Sequence, residues 1–173
     1  MKKVILLITF GLLCSCSTIP EKKIYTEIDI DAPVEKVWDV LVDNKSYPSW
    51  NPYHVKVEGT LELGTKLSVE IHKPNGQKVE IEPHVMELEK NKKLTWGGGI
   101  SGVFKGVHVF ELISVNENKT TLIHRERFSG IVIPFASLDT IEEGYQLMNK
   151  ALKMKVEQEN SSMQSIRYNQ SIM

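Results

Sequence analysis

Apolar and polar residues alternate along most of the chain between residues 24 and 128, which is the pattern of half-buried β-strands. In the first run, every second residue from Ile24 to Ile30 is isoleucine or threonine, so these side chains share one face. Later runs predict strands over 55–58, 66–72, 78–88, 94–96, 103–115 and 120–128. The turn sequence Pro-Asn-Gly at 74–76 and a second turn at 116–119 predict hairpins, and Pro83 predicts an edge position or a bulge.

Helical spacing of apolar residues predicts one helix before the main strand series and one after it. Asp31 is suited to cap the first helix, and Pro33 suits its first turn. Two prolines, Pro48 and Pro52, exclude a long helix over 47–54. A long helix is predicted over about 138–157 with one apolar stripe, formed by Ile141, Tyr145, Met148, Leu152 and Val156.

This order of elements predicts an α+β fold with one domain over residues 24–158, in which a curved antiparallel sheet wraps around the C-terminal helix. From residue 159 onward Ser, Asn and Gln dominate, so the tail 159–173 is predicted to be disordered. The formal net charge of −1 does not indicate nucleic acid as a partner.

The start of the chain carries a targeting pattern. Two lysines precede an apolar run over 4–13, which is too short to cross a bilayer core of roughly 20 residues and fits a secretory signal peptide over 1–15. Cys16 follows the sequence Leu-Cys-Ser, which resembles the bacterial lipobox, where the cysteine is acylated after cleavage. The alternative is an ordinary cleaved signal in which the cysteines have no role.

Acylation of Cys16 would anchor the mature protein to an envelope membrane, with residues 16–23 as the lipidated cysteine and its tether. In many Gram-negative bacteria an Asp after this cysteine signals retention in the inner membrane. Ser17 stands at that position, so the outer membrane is the expected destination where two membranes exist. Both cysteines, Cys14 and Cys16, lie in the targeting segment, so the domain is expected to contain no disulfide.

Several segments resemble the SRPBCC, or START-like, superfamily, and most closely its polyketide cyclase/dehydrase-like branch. They lie at 28–38 (IDIDAPVEKVW), 47–52, 94–96, 106–110, 121–130 and 148–153. The resemblance implies a helix-grip fold, in which the bent sheet grips the last helix and leaves an internal cavity. Members bind lipids, sterols, polyketides or other apolar molecules, and a minority catalyse cyclisation or dehydration. The superfamily has no universal catalytic residues, so the resemblance assigns none here.

Polar residues on the inner face of two late strands are the candidate chemistry. His108 alternates in register with Phe110, and His124 with Glu126 and Phe128. If those positions face the cavity, His108, His124 and Glu126 meet on adjacent strands. We expect the ligand-binding residues to be Trp96, His108, Phe110, His124, Glu126, Phe128, Tyr145 and Met148.

Three functions remain open. The first is binding of one apolar small molecule, with the histidines and Glu126 orienting it. The second is a cyclase- or dehydratase-type enzyme in which His108, His124 and Glu126 act as general acid and base. The third is a protein whose interior is filled by its own side chains and which acts through its surface. We favour binding, because no nucleophile, metal or cofactor motif accompanies the histidines.

No cofactor or metal is predicted. His84 would complete a three-histidine zinc site with His108 and His124, but the spacings are long and no close ligand pair exists. The glycine-rich segment 97–102 matches G-x-G-x-x-G, yet a strand pattern follows it where a dinucleotide site needs a helix. We therefore expect these glycines to form a bulge or a rim loop. His54 and His72 are interpreted as surface or loop residues.

Overall fold

A computed structural model of the chain describes residues 19–171, with side chains through residue 162. In this range, eight strands form two antiparallel sheets. The larger sheet contains, in spatial order, β1 (Glu21–Ile30), β8 (Lys119–Ser129), β7 (Phe104–Asn116), β6 (Lys93–Ile100) and β5 (His84–Glu89). The smaller sheet contains β2 (His54–Glu58), β3 (Ser68–His72) and β4 (Lys78–Ile81).

Three α-helices accompany the sheets in the same range: α1 (Val34–Val42), α2 (Tyr47–Trp50) and α3 (Ile141–Ser171). The single turn of α2 agrees with the expectation that Pro48 and Pro52 allow no long helix there. Short 3-10 turns stand at Asn44–Ser46 and Ile133–Phe135. Among the described residues, no helix is both long enough and apolar enough to cross a membrane.

The long helix α3 lies along the concave side of the larger sheet and contacts β1, β8 and α1. Every residue of its predicted apolar stripe is buried, with no more than 6% of any of them exposed. Burying a large apolar side chain stabilises a fold by about 1.5–3 kcal/mol, so the stripe sets the rotational phase of the helix. The predicted α+β layout, with curved antiparallel strands around a C-terminal helix, is confirmed.

The first helix begins later than its capping signal predicts. α1 starts at Val34 after Pro33, and no side chain caps its N-terminus. The backbone N–H of Asp31 instead donates to Glu157 Oε1 at 2.8 Å, which ties the entrance of α1 to α3. Because Pro33 occupies the N-cap position, Asp31 lies two residues too early to cap the helix.

Two strand predictions need correction. The run 78–88 is not one strand, because Pro83 interrupts it and its halves, β4 and β5, belong to different sheets. Gly97, Gly98 and Gly99, predicted to form a bulge or rim loop, instead continue β6 as far as Ile100, paired with β7, and Gly102 lies in the turn that follows. Gly99 has a φ of +100°, and a Cβ there would lie 2.1 Å from the carbonyl oxygen of Phe104, so only glycine fits this close approach.

Both ends of the predicted domain also differ. β1 begins at Glu21, so residues 21–23 of the predicted tether are part of the sheet and pair with β8. Helix α3 continues to Ser171, although residues 159–173 were predicted to be disordered. No glycine or proline follows Gly144, so each added residue extends an existing helix by one hydrogen bond without a new nucleation step. The predicted signal peptide over 1–15 and Cys16 lie outside the described residues.

Candidate functional site

A cavity of about 460 Å³ lies between the concave face of the larger sheet, the smaller sheet and the start of α3. Its wall is mostly apolar, with Ile71 and Val79 from the smaller sheet and Phe104 and Phe128 from the larger one. It reaches the protein surface beside Ser137. The third function inferred from the sequence would require an interior filled by the protein's own side chains. The cavity shows that the interior is not filled in this way.

The inner end of the cavity is polar. In the β7–β8 register, His108 lies opposite Glu126 and Phe110 lies opposite His124, so all four side chains share the concave face. Helix α3 adds Tyr145 one turn from its start. The structure thus brings together His108, His124 and Glu126, which strand parity predicts to meet.

A continuous chain of hydrogen bonds links these residues. The hydroxyl of Tyr145 bonds to Glu126 Oε2 and lies 2.8 Å from His108 Nδ1. His108 Nε2 lies 3.1 Å from His124 Nε2, and His124 Nδ1 lies 2.7 Å from Asn149 Oδ1. Glu126 is the member that reaches the cavity most openly, with 13% of its side chain exposed.

At the end of this hydrogen-bond network farthest from the cavity, Thr26 and Asn149 determine which nitrogen of His124 carries a proton. Thr26 Oγ1 donates to the carbonyl oxygen of His124 at 3.0 Å, so it accepts from Asn149 Nδ2 at 2.9 Å. Asn149 Oδ1 then accepts, which places a proton on His124 Nδ1. Because a neutral imidazole carries one proton, His124 Nε2 is an acceptor, and the facing His108 Nε2 must be the donor.

Two proton arrangements satisfy the remaining contacts. In one, Tyr145 donates to an ionised Glu126, and a doubly protonated His108 donates from Nδ1 to the Tyr145 oxygen. In the other, a protonated Glu126 donates to the Tyr145 oxygen, and Tyr145 donates to His108 Nδ1. They have the same total charge and differ by the shift of two protons along Glu126, Tyr145 and His108. The two arrangements therefore place either an ionised or a protonated Glu126 at the cavity wall.

Burial keeps two residues of this hydrogen-bond network, His124 and Tyr145, uncharged. It lowers the pKa of His124 well below its usual value, and the neighbouring His108 lowers it further. Burial likewise raises the pKa of Tyr145 well above its usual range, and the charge and hydrogen bond of Glu126 add to this. A neutral His124 and a protonated Tyr145 are the forms that both proton arrangements require.

His54 is the site residue that sequence reasoning missed. It is only 2% exposed, lines the cavity, and packs edge-on against Trp96 and His108 with ring centroids 5.8 and 5.2 Å apart. A register shift between His54 and Lys56 interrupts the alternation of β2, so His54 points inward together with Val57. From the sequence, His54 is interpreted as a surface or loop residue ahead of the strand 55–58, whereas in the structure it is buried at the start of β2.

Asn51 fixes the backbone at His54, and the imidazole packs among the aromatic rings of the cavity wall. Asn51 Oδ1 accepts the backbone N–H groups of Tyr53 and His54, both at 3.0 Å, and so fixes the start of β2. Within the described part of the chain, His54 Nδ1 is buried with no hydrogen-bond partner. Burial, with a smaller contribution from His108, lowers the pKa of His54 well below its usual value. The cavity wall thus includes a neutral imidazole.

The other predicted ligand-binding residues divide into two groups. Trp96 and Phe128 belong to the cavity wall, together with His108, Glu126 and Tyr145. The remaining three are fully buried behind the wall and support it: Phe110, His124 and Met148. His124 stacks on Tyr145 with ring centroids 3.9 Å apart, so it acts on the cavity through its neighbours.

The remaining histidines do not join this cluster. His84 is exposed on β5, opposite Gly97, and His72 is half-buried with Nε2 2.7 Å from Glu70 Oε1. Across residues 19–162, no group of three or more His, Cys, Asp or Glu side chains is arranged to hold a metal ion. Strand β7 follows the glycine-rich segment where a dinucleotide site needs a helix, so that segment has no such geometry.

A curved sheet around a long helix, with an apolar cavity between them, defines a helix-grip protein. Residues 21–162 match the model of the family described as polyketide cyclase / dehydrase and lipid transport. The chain belongs to this family, which agrees with the resemblance found in the sequence. Among proteins with curated descriptions, none matches this sequence.

Solved structures share this fold at low sequence identity. An aromatase/cyclase from a Streptomyces species has a TM-score of 0.64 and 15% identity, covering 80% of this chain and 94% of its own. A norcoclaurine synthase from Thalictrum flavum has a TM-score of 0.61 and 15% identity, covering 83% and 99%. A START superfamily protein from Mycobacterium smegmatis has a TM-score of 0.61 and 18% identity, covering 79% and 97%. At these identities the likeness establishes the helix-grip fold alone.

Proposed function

We propose that this protein binds one apolar small molecule in its internal cavity while a lipid on Cys16 holds it at an envelope membrane. The observation that carries the binding proposal is the cavity of about 460 Å³, mostly apolar and polar at one end. Ligand sites of about 300–1,000 Å³ with apolar walls and a few polar groups are typical of small-molecule binding.

The polar end supports a ligand with one uncharged hydrogen-bonding group. The cavity presents the neutral imidazole of His54 and the proton-sharing Glu126 and Tyr145. A hydroxyl or carbonyl group would find both donors and acceptors there, while the apolar wall would cover the rest of the molecule. A lipid-like or polyketide-like molecule has this composition.

The anchor is supported by the order of lysines, apolar run and Leu-Cys-Ser-Cys at the start of the sequence. Since β1 begins at Glu21, the four residues 17–20 separate the acylated cysteine from the sheet. Four extended residues reach about 14 Å, so the domain would sit directly on its membrane. The absence of Asp at position 17 favours the outer membrane in a cell with two membranes.

A second candidate function is a cyclase- or dehydratase-type enzyme. The observation that favours it is the path of two protons from His108 through Tyr145 to Glu126, which could serve as general acid and base. The names of two neighbours in fold, an aromatase/cyclase and a norcoclaurine synthase, belong to enzymes. We place binding first, because the same network also serves to orient a ligand.

Mass spectrometry of organic molecules extracted from the purified mature protein tests the binding proposal. We expect one predominant apolar compound in the wild type. It should be lost in Val79→Trp, because Val79 lines the cavity and the larger side chain would occupy the space of the ligand. Ile113→Trp is the matched control. Ile113 is exposed on β7, so this substitution introduces the same side chain outside the cavity. Equal recovery of the compound from both variants, or none from the wild type under mild extraction, would contradict the proposal.

A further inference from the structure

Two uncharged segments meet at one end of the larger sheet. Residues 97–104 and 128–138 contain no Asp, Glu, Lys, Arg or His, although charged residues make up 25% of the chain. Backbone hydrogen bonds join them: Ile131 N–H donates to Gly102 O at 3.0 Å, and Val132 N–H donates to Val103 O at 3.1 Å. They therefore form one continuous surface.

This surface exposes large apolar side chains. Phe135 is 86% exposed, Ile100 68% and Ile131 64%. Val103 and Val132 add further exposed area between them. We call the five residues Ile100, Val103, Ile131, Val132 and Phe135 the apolar tip. Single exposed apolar residues are common on proteins, but a contiguous uncharged group with an aromatic residue marks a contact surface.

The described chain begins beside the apolar tip. Gly130 N–H, next to Ile131, donates to the carbonyl oxygen of Pro20 at 3.0 Å. Cys16 lies only four residues before Pro20, so an acyl chain on it would be attached within about 14 Å of Pro20. Because so few residues separate Cys16 from Pro20, and Pro20 lies beside the apolar tip, a bilayer that holds the acyl chain would be within reach of the tip.

The cavity opens beside the same two segments. Gly99 and Phe104 from the first segment, and Ala136 and Ser137 from the second, contribute to its wall, which also includes the charged residues Lys73 and Glu82. A bilayer in contact with the apolar tip would thus adjoin the mouth of the cavity. An apolar ligand could then pass between bilayer and cavity without crossing water.

We propose that the apolar tip inserts into the surface of the anchoring bilayer and that the cavity takes its ligand directly from the membrane. This proposal rests on the proposed lipid anchor and adds an orientation to it. Interfacial insertion of exposed aliphatic and aromatic side chains is favourable because it removes apolar surface from water. The ligand class it implies is a membrane-dissolved lipid or lipid-like molecule.

Fluorescence quenching in vesicles tests the orientation. Phe135→Cys provides a thiol for an environment-sensitive label, since Cys14 would leave with the signal peptide and Cys16 would be acylated. Val115→Cys is the matched control, because Val115 is also exposed but lies eleven residues beyond Phe104 along β7, roughly 35 Å of strand. The acylated mature proteins are reconstituted into vesicles of phosphatidylethanolamine and phosphatidylglycerol containing nitroxide-labelled lipids.

We expect the label at position 135 to shift its emission to the blue and to lose fluorescence to the nitroxide lipids, and the label at 115 to do neither. If the N-terminal peptide is acylated and the protein floats with the vesicles, but both labels behave as in water, the tip proposal fails and the anchor stands. An unacylated N-terminus without flotation overturns both. A blue-shifted label at 135 in lipid-free detergent, with the protein migrating as a dimer, would identify a second copy as the occupant and overturn the membrane orientation.

Discussion

The imidazole rings of His108 and His124 meet through their Nε2 atoms, 3.1 Å apart. Because Asn149 holds the other nitrogen of His124 as a donor, this contact requires His108 to supply a proton. The two histidines therefore connect Asn149 on α3 to Tyr145, and through Tyr145 to Glu126 at the cavity wall. A polar core network of this kind either orients a ligand or moves protons, and the two roles respond differently to mutation.

His124→Gln separates the ligand-orienting role from the catalytic one. Glutamine keeps hydrogen-bonding capacity next to His108 and Asn149, so a binding protein should lose only about 1–2 kcal/mol of ligand affinity. If the network is a general acid or base, turnover should instead fall by roughly 10²–10⁴-fold at nearly unchanged affinity. Affinity and turnover are measured side by side for the copurified ligand or a polyketide-like aromatic. We expect the first outcome, and a large turnover loss would establish the enzyme.

His54→Phe should dissociate stability from ligand binding. The substitution removes a buried nitrogen that has no partner within the described residues and keeps a ring among the same aromatic neighbours. The free energy of unfolding should stay the same or rise by about 1–2 kcal/mol, because unpaired buried polar groups are destabilising. The amount of copurified ligand should fall. Unchanged ligand recovery would exclude His54 from recognition.

Stability should increase with pH between about 5 and 6.5. Burial lowers the pKa of His54 and His124 in the folded protein, whereas histidines of the unfolded chain titrate near 6.5. Below about pH 6.5 the unfolded chain binds protons at these two histidines that the folded protein does not. The free energy of unfolding is therefore highest above about pH 6.5 with respect to these groups and decreases as the pH falls. Each histidine adds a slope of up to about 1.4 kcal/mol per pH unit.

Urea denaturation at about pH 5 and pH 7.5 measures this slope. His54→Phe should reduce it by the share of one histidine, and His84→Phe, at an exposed position, should leave it unchanged. The surface carboxylates with lowered pKa, such as Glu21 and Asp29, lose their contribution only at more acid pH. A slope that is the same in all three proteins would contradict neutral buried histidines.

Leu152→Ala should destabilise the fold by about 2–5 kcal/mol, because Leu152 is fully buried in the stripe of α3. Met154→Ala is the matched control on the same helix, where the side chain is mostly exposed, and should change stability by less than about 0.5 kcal/mol. Chemical denaturation of both variants checks the phase of α3. Similar small effects for the two would mean that the helix faces the sheet differently.

Cys16→Ser should release the protein from the membrane or leave an uncleaved precursor, because the proposed anchor consists of acyl chains on that sulfur. Ser17→Ala is the control, since it keeps the cysteine. Membrane fractionation and the mass of the N-terminal peptide report the result. Wild-type protein recovered in the soluble fraction with an unmodified Cys16 would exclude the anchor.

Local periodicity was enough to assign much of the inner face. Alternation along β7 and β8 put His108, His124 and Glu126 on one side, and helical spacing selected the buried stripe of α3. These patterns are reliable because burial against a core repeats with the geometry of the element itself. Periodicity did not identify His54, which precedes the predicted strand 55–58 and is turned inward where the pairing of β2 with β3 is irregular.

The sequence by itself determined the fold class, the family and the faces of the main strands and of α3, since each depends on the order and period of neighbouring residues. Only the tertiary structure decided which inner residues reach the cavity, leaving Phe110, His124 and Met148 behind its wall. It also decided that Pro83 divides two sheets and that distant loops join beside Pro20. These features depend on strand register and on contacts between residues far apart in the chain, which local periodicity does not encode.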